Sequence, residues 1–250
     1  MRALVDADSL LYKVGFAIEE KTVWNELEVS LGLEEPLVTL ETDLDQCYSS
    51  FDLYIENILC AVELEEAVLV YTGSNNFRYN NPLGYKENRK NLNKPLGYDA
   101  LLQYSKDKYN SIVIDDMEAD DYVVYEKTTK PDDYILCAID KDVLYQTEGT
   151  HYNYHTDEFV ETTKEEATHY AYLQTLMGDS SDGYTGIPRV GKVKATKILD
   201  GLTTEQEMWK AVVDAYEAKG LTVDDAINTM RLANMHQYNG TQICLWNPQL

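Results

Sequence analysis

The sequence predicts an α/β fold with a mainly parallel central sheet flanked by helices, followed by a helical C-terminal subdomain. Apolar runs rich in β-branched residues recur up to Ala138 and are continuous rather than alternating, which indicates strands covered on both faces. Helical patterns lie between these runs, as connections between parallel strands require. Strand patterns stop after Lys164, and only helical patterns follow.

The elements are predicted in the following order. Strands are expected at residues 3–5, 67–71, 111–114 and 134–138, with helices at 44–64, 98–108 and 119–128 between them. Residues 151–160, rich in Tyr, Thr and Val, predict a hairpin. Further helices are expected at 167–177, 193–199, 205–218 and 223–235. We therefore expect an α/β core at 1–163, which includes a basic loop or arch at 75–97, and a helical subdomain at 164–250.

Composition narrows the class of protein. The 250-residue chain is 44% hydrophobic, enough for a sizeable core, but has no apolar run near the roughly 18 residues of a membrane span. The chain begins with a strand pattern, so no signal peptide is expected. Its four cysteines lie far apart without a Cys-x-x-Cys pair, which favours reduced thiols in a cytoplasmic protein.

The charge is distributed asymmetrically. A formal net charge of −23 argues against nucleic-acid binding, which rests on neutralising phosphates. Two segments rich in Lys and Arg, here called the basic islands, argue for such binding. One spans residues 78–98 and contains a single acid, and the other spans residues 186–199 and contains none. Their bases are Arg78, Lys86, Arg89, Lys90 and Lys94 in the first island, and Arg189, Lys192, Lys194 and Lys197 in the second. A solvated face and a phosphate-binding surface are both open interpretations of these islands.

Eight acidic residues form four clusters where strands end or helices begin. They are Asp6; Glu118, Asp120 and Asp121; Asp140 and Asp142; and Asp179 and Asp182. Ligands of open α/β sheets bind beyond the carboxyl ends of the strands, so the clusters are expected to converge on one rim. Two carboxylates about 4 Å apart repel by about 4 kcal/mol at an effective dielectric constant of 20, and divalent metals would compensate for this repulsion.

When the clusters are considered one at a time, a local structural role is an alternative to metal binding. Asp6 and the nearby Asp8 can cap a helix, and acids in a first helical turn complement the helix dipole. Helical spacing places Glu118 and Asp121 on one face and turns Asp120 aside. A strand continuing through Asp140 and Asp142 would project both carboxylates the same way.

Six motifs, in order, resemble those of the 5′ nucleases: flap endonucleases, the 5′-nuclease domain of bacterial DNA polymerase I, and phage 5′–3′ exonucleases. The motifs are Leu4-Val-Asp6, Asn76-Phe-Arg78, Gly84-Tyr-Lys86-x-x-Arg89, Glu118-Ala-Asp-Asp121, Asp140-Lys-Asp142 and Gly178-Asp-x-x-Asp-Gly183. The chain is most similar to small phage exonucleases, and this likeness extends to the tail at residues 230–246.

The resemblance implies a PIN-like nuclease core with two or more Mg²⁺ or Mn²⁺ ions, and it places all eight acidic residues on the family's metal-binding carboxylates. Lys86 and Arg89 fall on the basic pair that contacts the reacting phosphate and are the implied catalytic residues. Implied DNA contacts are Arg78, Tyr85, Lys86, Arg89, Lys90, Lys94, Arg189, Lys192 and Lys194. Tyr85 would stack on an end base, with ordinary loop packing as the alternative.

The resemblance also implies partners and an activity. Residues 186–197 resemble a helix–turn–helix element that binds the duplex backbone and a potassium ion. The implied protein is a monomer in the cytoplasm, that of the host if phage-encoded, without membrane contact. It would be a 5′–3′ exonuclease or flap endonuclease acting on DNA 5′ ends, flaps or RNA–DNA hybrids in phage DNA replication or degradation.

Two positions depart from the family pattern. The family has an aspartate after the second strand of the core, where this chain has Gly73, and a glycine where it has Arg189. Because this carboxylate is missing, one alternative is that the protein is a catalytically impaired relative that still binds DNA. Asp8 would remove this alternative if its carboxylate took the place of the missing one. A second alternative is a phosphohydrolase of the haloacid-dehalogenase type, with Asp6 as nucleophile, Asp8 as acid and Thr72 as a phosphate ligand. Its Mg²⁺ site would be Asp179 and Asp182, which should then follow a strand, and it gives no role to the two basic islands.

Overall fold

The computed structural model describes residues 1–24, 37–89 and 92–248. Its main sheet contains β1 (Arg2–Asp6), β4 (Ala67–Thr72), β5 (Asn110–Ile114), β6 (Tyr134–Cys137), β7 (Gly149–Asn153) and β8 (Glu158–Thr162). Their spatial order is β5-β4-β1-β6-β7-β8. All neighbouring pairs are parallel except β7 and β8, which form the predicted antiparallel hairpin. The predicted mainly parallel sheet is confirmed.

Helices cover both faces of this sheet, and further helices follow it in the chain. In chain order they are α1 (Asp8–Ile18), α2 (Leu44–Ala61), α3 (Tyr98–Lys108), α4 (Ala119–Thr129), α5 (Lys141–Tyr145), α6 (Lys164–Met177), α7 (Lys192–Leu199), α8 (Glu205–Glu217) and α9 (Val223–Ala233). Successive residues of β1 show the two faces: Ala3 and Val5 pack with α1, α2 and α3, whereas Leu4 packs with α4 and α5. This double coverage explains why the strands are apolar without alternation.

The helices after residue 163 have a hydrophobic core of their own. It is built from α6 to α9 around Leu176, Trp209, Val212 and Met230. Three of these helices begin with a capping box, in which Thr163, Thr204 and Thr222 each exchange hydrogen bonds with an acid three residues later. Such caps are worth about 1 kcal/mol each and fix where the helices start.

Two pairs of short strands were not predicted. The first joins β2 (Glu20–Trp24) to β3 (Leu37–Glu41), and every residue of both strands except Thr39 is exposed, including the apolar Leu37, Val38 and Leu40. The second joins β9 (Gly178–Asp179) to β10 (Tyr184–Thr185), so the expectation that strands stop after Lys164 is wrong for these short pieces. No helix in the described ranges is long and apolar enough to cross a membrane.

The chain order around β1 places the site. The strands β4 and β5 lie on one side of β1. The chain then crosses to the other side of β1, where β6, β7 and β8 lie. Such a reversal opens a crevice at the carboxyl ends of the central strands, where ligands of open α/β sheets bind. Asp6, the last residue of β1, lies at this point.

Candidate active site

Predicted acidic residues meet in a cavity of about 750 Å³ at the carboxyl ends of β1, β4 and β6. Asp6 ends β1, while Asp140 follows β6 and caps α5. Glu118 caps α4, and Asp120 lies in its first turn. All four line the cavity, together with Lys86, Arg89 and Lys94 of the first basic island. The expected convergence on one rim is therefore observed for these residues.

The inner carboxylates lie in an environment that opposes their charge. Burial raises the pKa of Asp6 to about 8, with repulsion from Asp8 and Asp140 adding to the effect. Burial likewise raises the pKa of Asp120 well above its ordinary value, with Asp6 and Asp140 contributing. Cations are needed to hold these groups ionised together at neutral pH.

Protein cations already neutralise part of the cluster. Nζ of Lys86 lies 2.5 Å from Oε1 of Glu118 and 3.7 Å from Oδ1 of Asp182. Burial alone would raise the pKa of Glu118, but Lys86 and Arg78 hold it below its ordinary value. Burial opposes the charge of Lys86, yet Glu118 and neighbouring aspartates raise its pKa. Lys86 is thus fixed as a cation inside the site.

Asp142 and Asp179 form an adjoining acidic pair. Burial raises the pKa of Asp142 to about 7, with Asp140 adding repulsion. Asp179 differs, because Ser181 donates from its backbone and hydroxyl to Oδ1, and Lys141 lies 3.3 Å from Oδ2. Although burial opposes it, these contacts lower the pKa of Asp179. Two neighbouring acids thus differ in how readily each is ionised.

Two loops join the acidic and basic parts of the site. The backbone N–H of Lys86 donates to the carbonyl of Asp182, and Nη2 of Arg89 lies 2.9 Å from both the carbonyl of Ser181 and Oδ1 of Asp182. Lys86 has a φ of 51°, a left-handed backbone conformation that is uncommon outside glycine. The positions of Lys86 and Arg89 therefore depend on the loop that carries Asp182.

The glycines of that loop are required by close backbone approach. Gly178 has a φ of 73°, and a Cβ there would lie 2.2 Å from the backbone nitrogen of Gly186. A Cβ on Gly186 would lie 2.4 Å from the nitrogen of Gly178. The β9–β10 pair, which presents Asp179 and Asp182, therefore forms only without side chains at these positions.

The structure corrects the expected roles of Asp121, Arg78 and Tyr85. Oδ1 and Oδ2 of Asp121 accept hydrogen bonds from both terminal nitrogens of Arg78 in a buried bidentate ion pair. The charges of Asp121 and Arg78 therefore neutralise each other. Arg78 is only 3% exposed and also donates to the carbonyls of Leu232 and Asn234, which leaves it no face for DNA. Tyr85 is 4% exposed, and its hydroxyl bridges Glu118 and Asp182, so it is packed rather than free to stack.

Two local expectations also change. Asp140 and Asp142 do not continue a strand: Asp140 caps α5, and its Oδ1 accepts from the backbone N–H of Asp142. Asp120, expected to turn aside, is the acid of α4 that joins Asp6 in the cavity. Glu118 and Asp140 each cap a helix and also line the cavity, so the two roles are not alternatives.

The remaining predicted DNA contacts lie at the surface. Lys94 is exposed at the cavity, whereas Arg189, Lys192 and Lys194 are exposed at and before the start of α7 and do not line it. Lys90 lies outside the described residues. The two basic islands therefore present separate exposed charges on this molecule.

Several cavity residues were not predicted as part of the site, among them Asp8, Tyr12 and Phe16. Asp8, which the sequence offers as a helix cap, as a substitute for the missing carboxylate or as the acid of a phosphohydrolase, lines the cavity beside Asp6. Tyr12 and Phe16, four residues apart on α1, are 37% and 49% exposed and line it too. Their helical spacing from Asp8 was the available signal, since residues at i and i+4 share one face.

The site suits a divalent cation. Oδ1 of Asp6 is buried and lacks a hydrogen-bond partner among the described residues. Leaving such an oxygen unsatisfied is costly, and a hard cation with oxygen ligands would satisfy it. Within the same residues, no three His, Cys, Asp or Glu side chains form a preassembled metal site. Mg²⁺ does not require one, because it keeps several waters and is commonly held by one or two carboxylates.

A second cavity, of about 800 Å³, is lined by Gln146, Glu148, Glu205 and Trp209, among others. None of the eight predicted acidic residues lines it. Volume alone does not make an active site, whereas convergent ionisable groups with perturbed pKa values point to one. We therefore place the site in the cavity at the end of β1.

Fold and site together define the class of protein: an α/β nuclease-like core whose strand ends carry clustered carboxylates beside basic side chains. The chain has the fold of the 5′ nucleases. With zinc bound, the 5′-exonuclease of phage T5 superposes with a TM-score of 0.62 at 16% identity, over 95% of this chain and 90% of that one. The bacteriophage T5 flap endonuclease in complex with DNA and metal ions gives 0.60 at 15% identity, over 76% and 82%.

Sequence relatives are consistent with this fold. The exonuclease of Escherichia phage T7 is 25% identical over 222 residues, which is 72% of this chain and 73% of that protein. The exodeoxyribonuclease of Enterobacteria phage T3 is 30% identical over 165 residues, which is 62% of this chain but only 53% of that protein. No family model matches the chain. The predicted resemblance to 5′ nucleases of phage type is confirmed.

These findings remove the haloacid-dehalogenase alternative. That reading needs the acidic pair Asp179 and Asp182 to follow a strand of the core, but the pair follows helix α6. The oxygen of the Thr72 side chain, its supposed phosphate ligand, accepts from the backbone N–H of Ala119. The alternative also gives no role to the two basic islands.

Proposed function

We propose that this protein is a divalent-metal-dependent 5′–3′ exonuclease or flap endonuclease that hydrolyses phosphodiester bonds at DNA 5′ ends, in phage DNA replication or degradation. The observation that carries the proposal is one cavity lined by Asp6, Asp120 and Asp140 together with Lys86 and Arg89. Carboxylates suit hard cations, and the lysine and arginine suit a phosphate. The relatives named exonuclease and flap endonuclease support this chemistry.

We assign the roles within the site as follows. Asp6, Glu118, Asp120 and Asp140 would hold an inner Mg²⁺ or Mn²⁺, and Asp142, Asp179 and Asp182 an outer one. When bound, the metal ions supply an activated water and stabilise charge on the leaving oxygen. Asp121 is left out of this set because its carboxylate is paired with Arg78.

Lys86 and Arg89 are the proposed catalytic cations. Both line the cavity, and their charge would stabilise the negative scissile phosphate. Buried neighbours keep Lys86 protonated, since Glu118 and the aspartates raise its pKa. The exposed Lys94, Arg189, Lys192 and Lys194 would bind the DNA backbone, the last three through the turn before α7.

A potassium ion at that turn is not part of the proposal. Nζ of Lys194 donates to the carbonyl of Arg189 at 3.0 Å, so an ammonium group already uses one carbonyl acceptor there. Arg189 has a φ of 63° and stands where the family pattern has glycine. DNA binding by this segment does not depend on the ion, because the predicted contacts Arg189, Lys192 and Lys194 are exposed cations.

The test is cleavage of 5′-labelled duplex, flap and RNA–DNA hybrid substrates during a Mg²⁺ titration. We expect the wild-type protein to release nucleotides from 5′ ends only with Mg²⁺ or Mn²⁺. Asp140→Asn should lower kcat by at least about a hundredfold, because it removes one charge that would hold the metal and keeps the cap on α5.

The control is Asp107→Asn, an exposed position on α3 outside the cavity, which should retain full activity. Undiminished cleavage by Asp140→Asn would refute the site assignment. Near-zero activity of the wild-type protein with intact DNA binding would instead favour the catalytically impaired relative, which the absence of a carboxylate at Gly73 keeps as the second candidate.

A further inference from the structure

Asp8 occupies a position in the cavity that its helix does not explain. It is the first residue of α1, where an acid complements the helix dipole. Its carboxylate, however, makes its hydrogen bonds outside that helix. Oδ1 and Oδ2 lie 3.1 and 3.2 Å from the backbone nitrogen of Thr72, at the end of β4. Asp8 therefore links the start of α1, just after β1, to the end of the neighbouring strand β4.

This bridge fixes where the carboxylate lies but leaves part of its bonding capacity unused. An ionised carboxylate can accept about four hydrogen bonds, and Thr72 supplies its backbone N–H and its nearby hydroxyl. Among the described residues, neither Asp8 nor Asp6 forms an ion pair, and Oδ1 of Asp6 is buried without a donor. The two carboxylates thus line one cavity with unfilled acceptor sites.

The end of β4 cannot readily supply a carboxylate of its own. A Cβ built on Gly73 would lie 2.2 Å from Oδ1 of Asp115 and 2.8 Å from the carbonyl oxygen of Ile114. The carboxylate of Asp115 is held there, because the backbone and hydroxyl of Ser74 both donate to it. A side chain at position 73 would have to displace this arrangement. Asp8 is the acid that instead reaches this side of the cavity.

We infer that Asp8 is an additional metal-holding carboxylate of the site, set in place by the backbone N–H of Thr72. The inference rests on the proposed metal-dependent function and adds a ligand that the motif comparison did not assign. It gives the β4 side of the cavity a carboxylate despite Gly73. The acidic residues around the metals therefore come from α1 as well as from the strand ends and α4.

Isothermal titration calorimetry of Mn²⁺ and Mg²⁺ into the DNA-free protein tests this directly. Asp8→Asn removes the charge and keeps an oxygen that can accept from Thr72. We expect it to weaken the tightest site by about tenfold or more, as loss of a ligand or its support commonly does. Asp8→Glu keeps the charge but displaces the carboxylate by one methylene, and it should also weaken binding. The matched control is Asp115→Asn, an exposed acid at the same rim that does not line the cavity.

The outcomes separate this inference from the proposed function. Unchanged metal affinity in folded Asp8→Asn or Asp8→Glu would overturn the role of Asp8 while leaving the nuclease proposal intact. An equal loss in Asp115→Asn would show a general effect of rim charge and overturn it too. No binding of either metal by the wild-type protein at millimolar concentrations would contradict the proposed function itself. Should Asp8→Asn not fold, the charge-preserving Asp8→Glu carries the test.

Discussion

At the scale of single residues, the site consists of groups that would be destabilising anywhere else in the fold. Asp6 is 5% exposed and has one oxygen without a donor among the described residues. Lys86 combines a left-handed backbone with a partly buried charge. Stability lost to such groups is a common consequence of a site prepared for a ligand. The protonation of the carboxylates should therefore be visible in the stability of the metal-free protein.

We predict that metal-free protein loses stability as the pH rises from about 5 to about 8. Burial raises the pKa of Asp6 to about 8 and that of Asp142 to about 7. In this window the folded state binds more protons than the unfolded state, so unfolding becomes easier as protons leave. Glu118 and Asp179, whose pKa values are lowered, add stability that is lost only at more acidic pH. Thermal unfolding with a chelator present measures this trend.

Mg²⁺ should reverse the trend, because it binds the ionised carboxylates and stabilises the folded state. The rise in Tm on adding Mg²⁺ is expected to grow between pH 5 and pH 8. Asp6→Asn is the informative variant: its metal-free Tm should depend less on pH and be higher at pH 8, by about 2–4 °C for each kcal/mol gained. A metal-free Tm that rises steadily from pH 5 to pH 8 would contradict the prediction.

At the scale of elements, the β9–β10 pair determines where the outer acids and the basic loop lie. Residues 178–186 carry Asp179 and Asp182, and the latter contacts Lys86 and Arg89. The pair depends on the close approach of Gly178 and Gly186. A change at this approach should therefore affect metal binding and catalysis without touching a charged group.

Gly178→Ala is predicted to destabilise the protein and weaken metal binding together. Gly178 combines a φ of 73° with a ψ of 177°, a backbone conformation that is essentially restricted to glycine and costs other residues about 1–3 kcal/mol, and the contact with Gly186 adds to this. Gly220→Ala is the matched control, since Gly220 has the same φ of 73° with no atom within 4 Å of the added Cβ. Thermal melts and metal titration of both variants give the comparison. Equal losses in the two variants would show that backbone strain alone, rather than the close approach, is responsible.

The sequence predicted elements better than it predicted side-chain directions. The bounds of helix 98–108 agree with α3, because apolar periodicity reports burial of a whole face. The β2–β3 pair has no buried face, so its few apolar residues do not form the continuous run that identified the core strands. Motif spacing found the eight acids, but it could not show that Asp121 pairs with Arg78 or that Asp8 reaches Thr72. Both contacts join residues more than 40 positions apart, which depends on the packed fold.

At the scale of the whole molecule, charge acts on folding and on DNA binding in opposite directions. The 44 acidic residues exceed the 21 basic ones, so the folded chain repels itself. The bases that would contact DNA are concentrated in two islands, of which Lys94, Arg189, Lys192 and Lys194 are exposed. DNA must therefore approach a negative molecule through two positive surfaces.

We predict that raising KCl from about 50 to about 200 mM increases the Tm of the metal-free protein while weakening DNA binding by at least about a hundredfold. Salt screens the repulsion between acids, which favours the compact state. The same salt removes the gain from releasing counterions when cations neutralise phosphates. Fluorescence anisotropy of labelled duplex with Ca²⁺ in place of Mg²⁺ measures binding without cleavage. Lys192→Ala should reduce the salt slope by about 1, whereas Lys210→Ala, on α8 and paired with Asp214, should not. A slope near zero for the wild-type protein would mean that the basic islands do not neutralise phosphates and that metal ions alone hold the DNA.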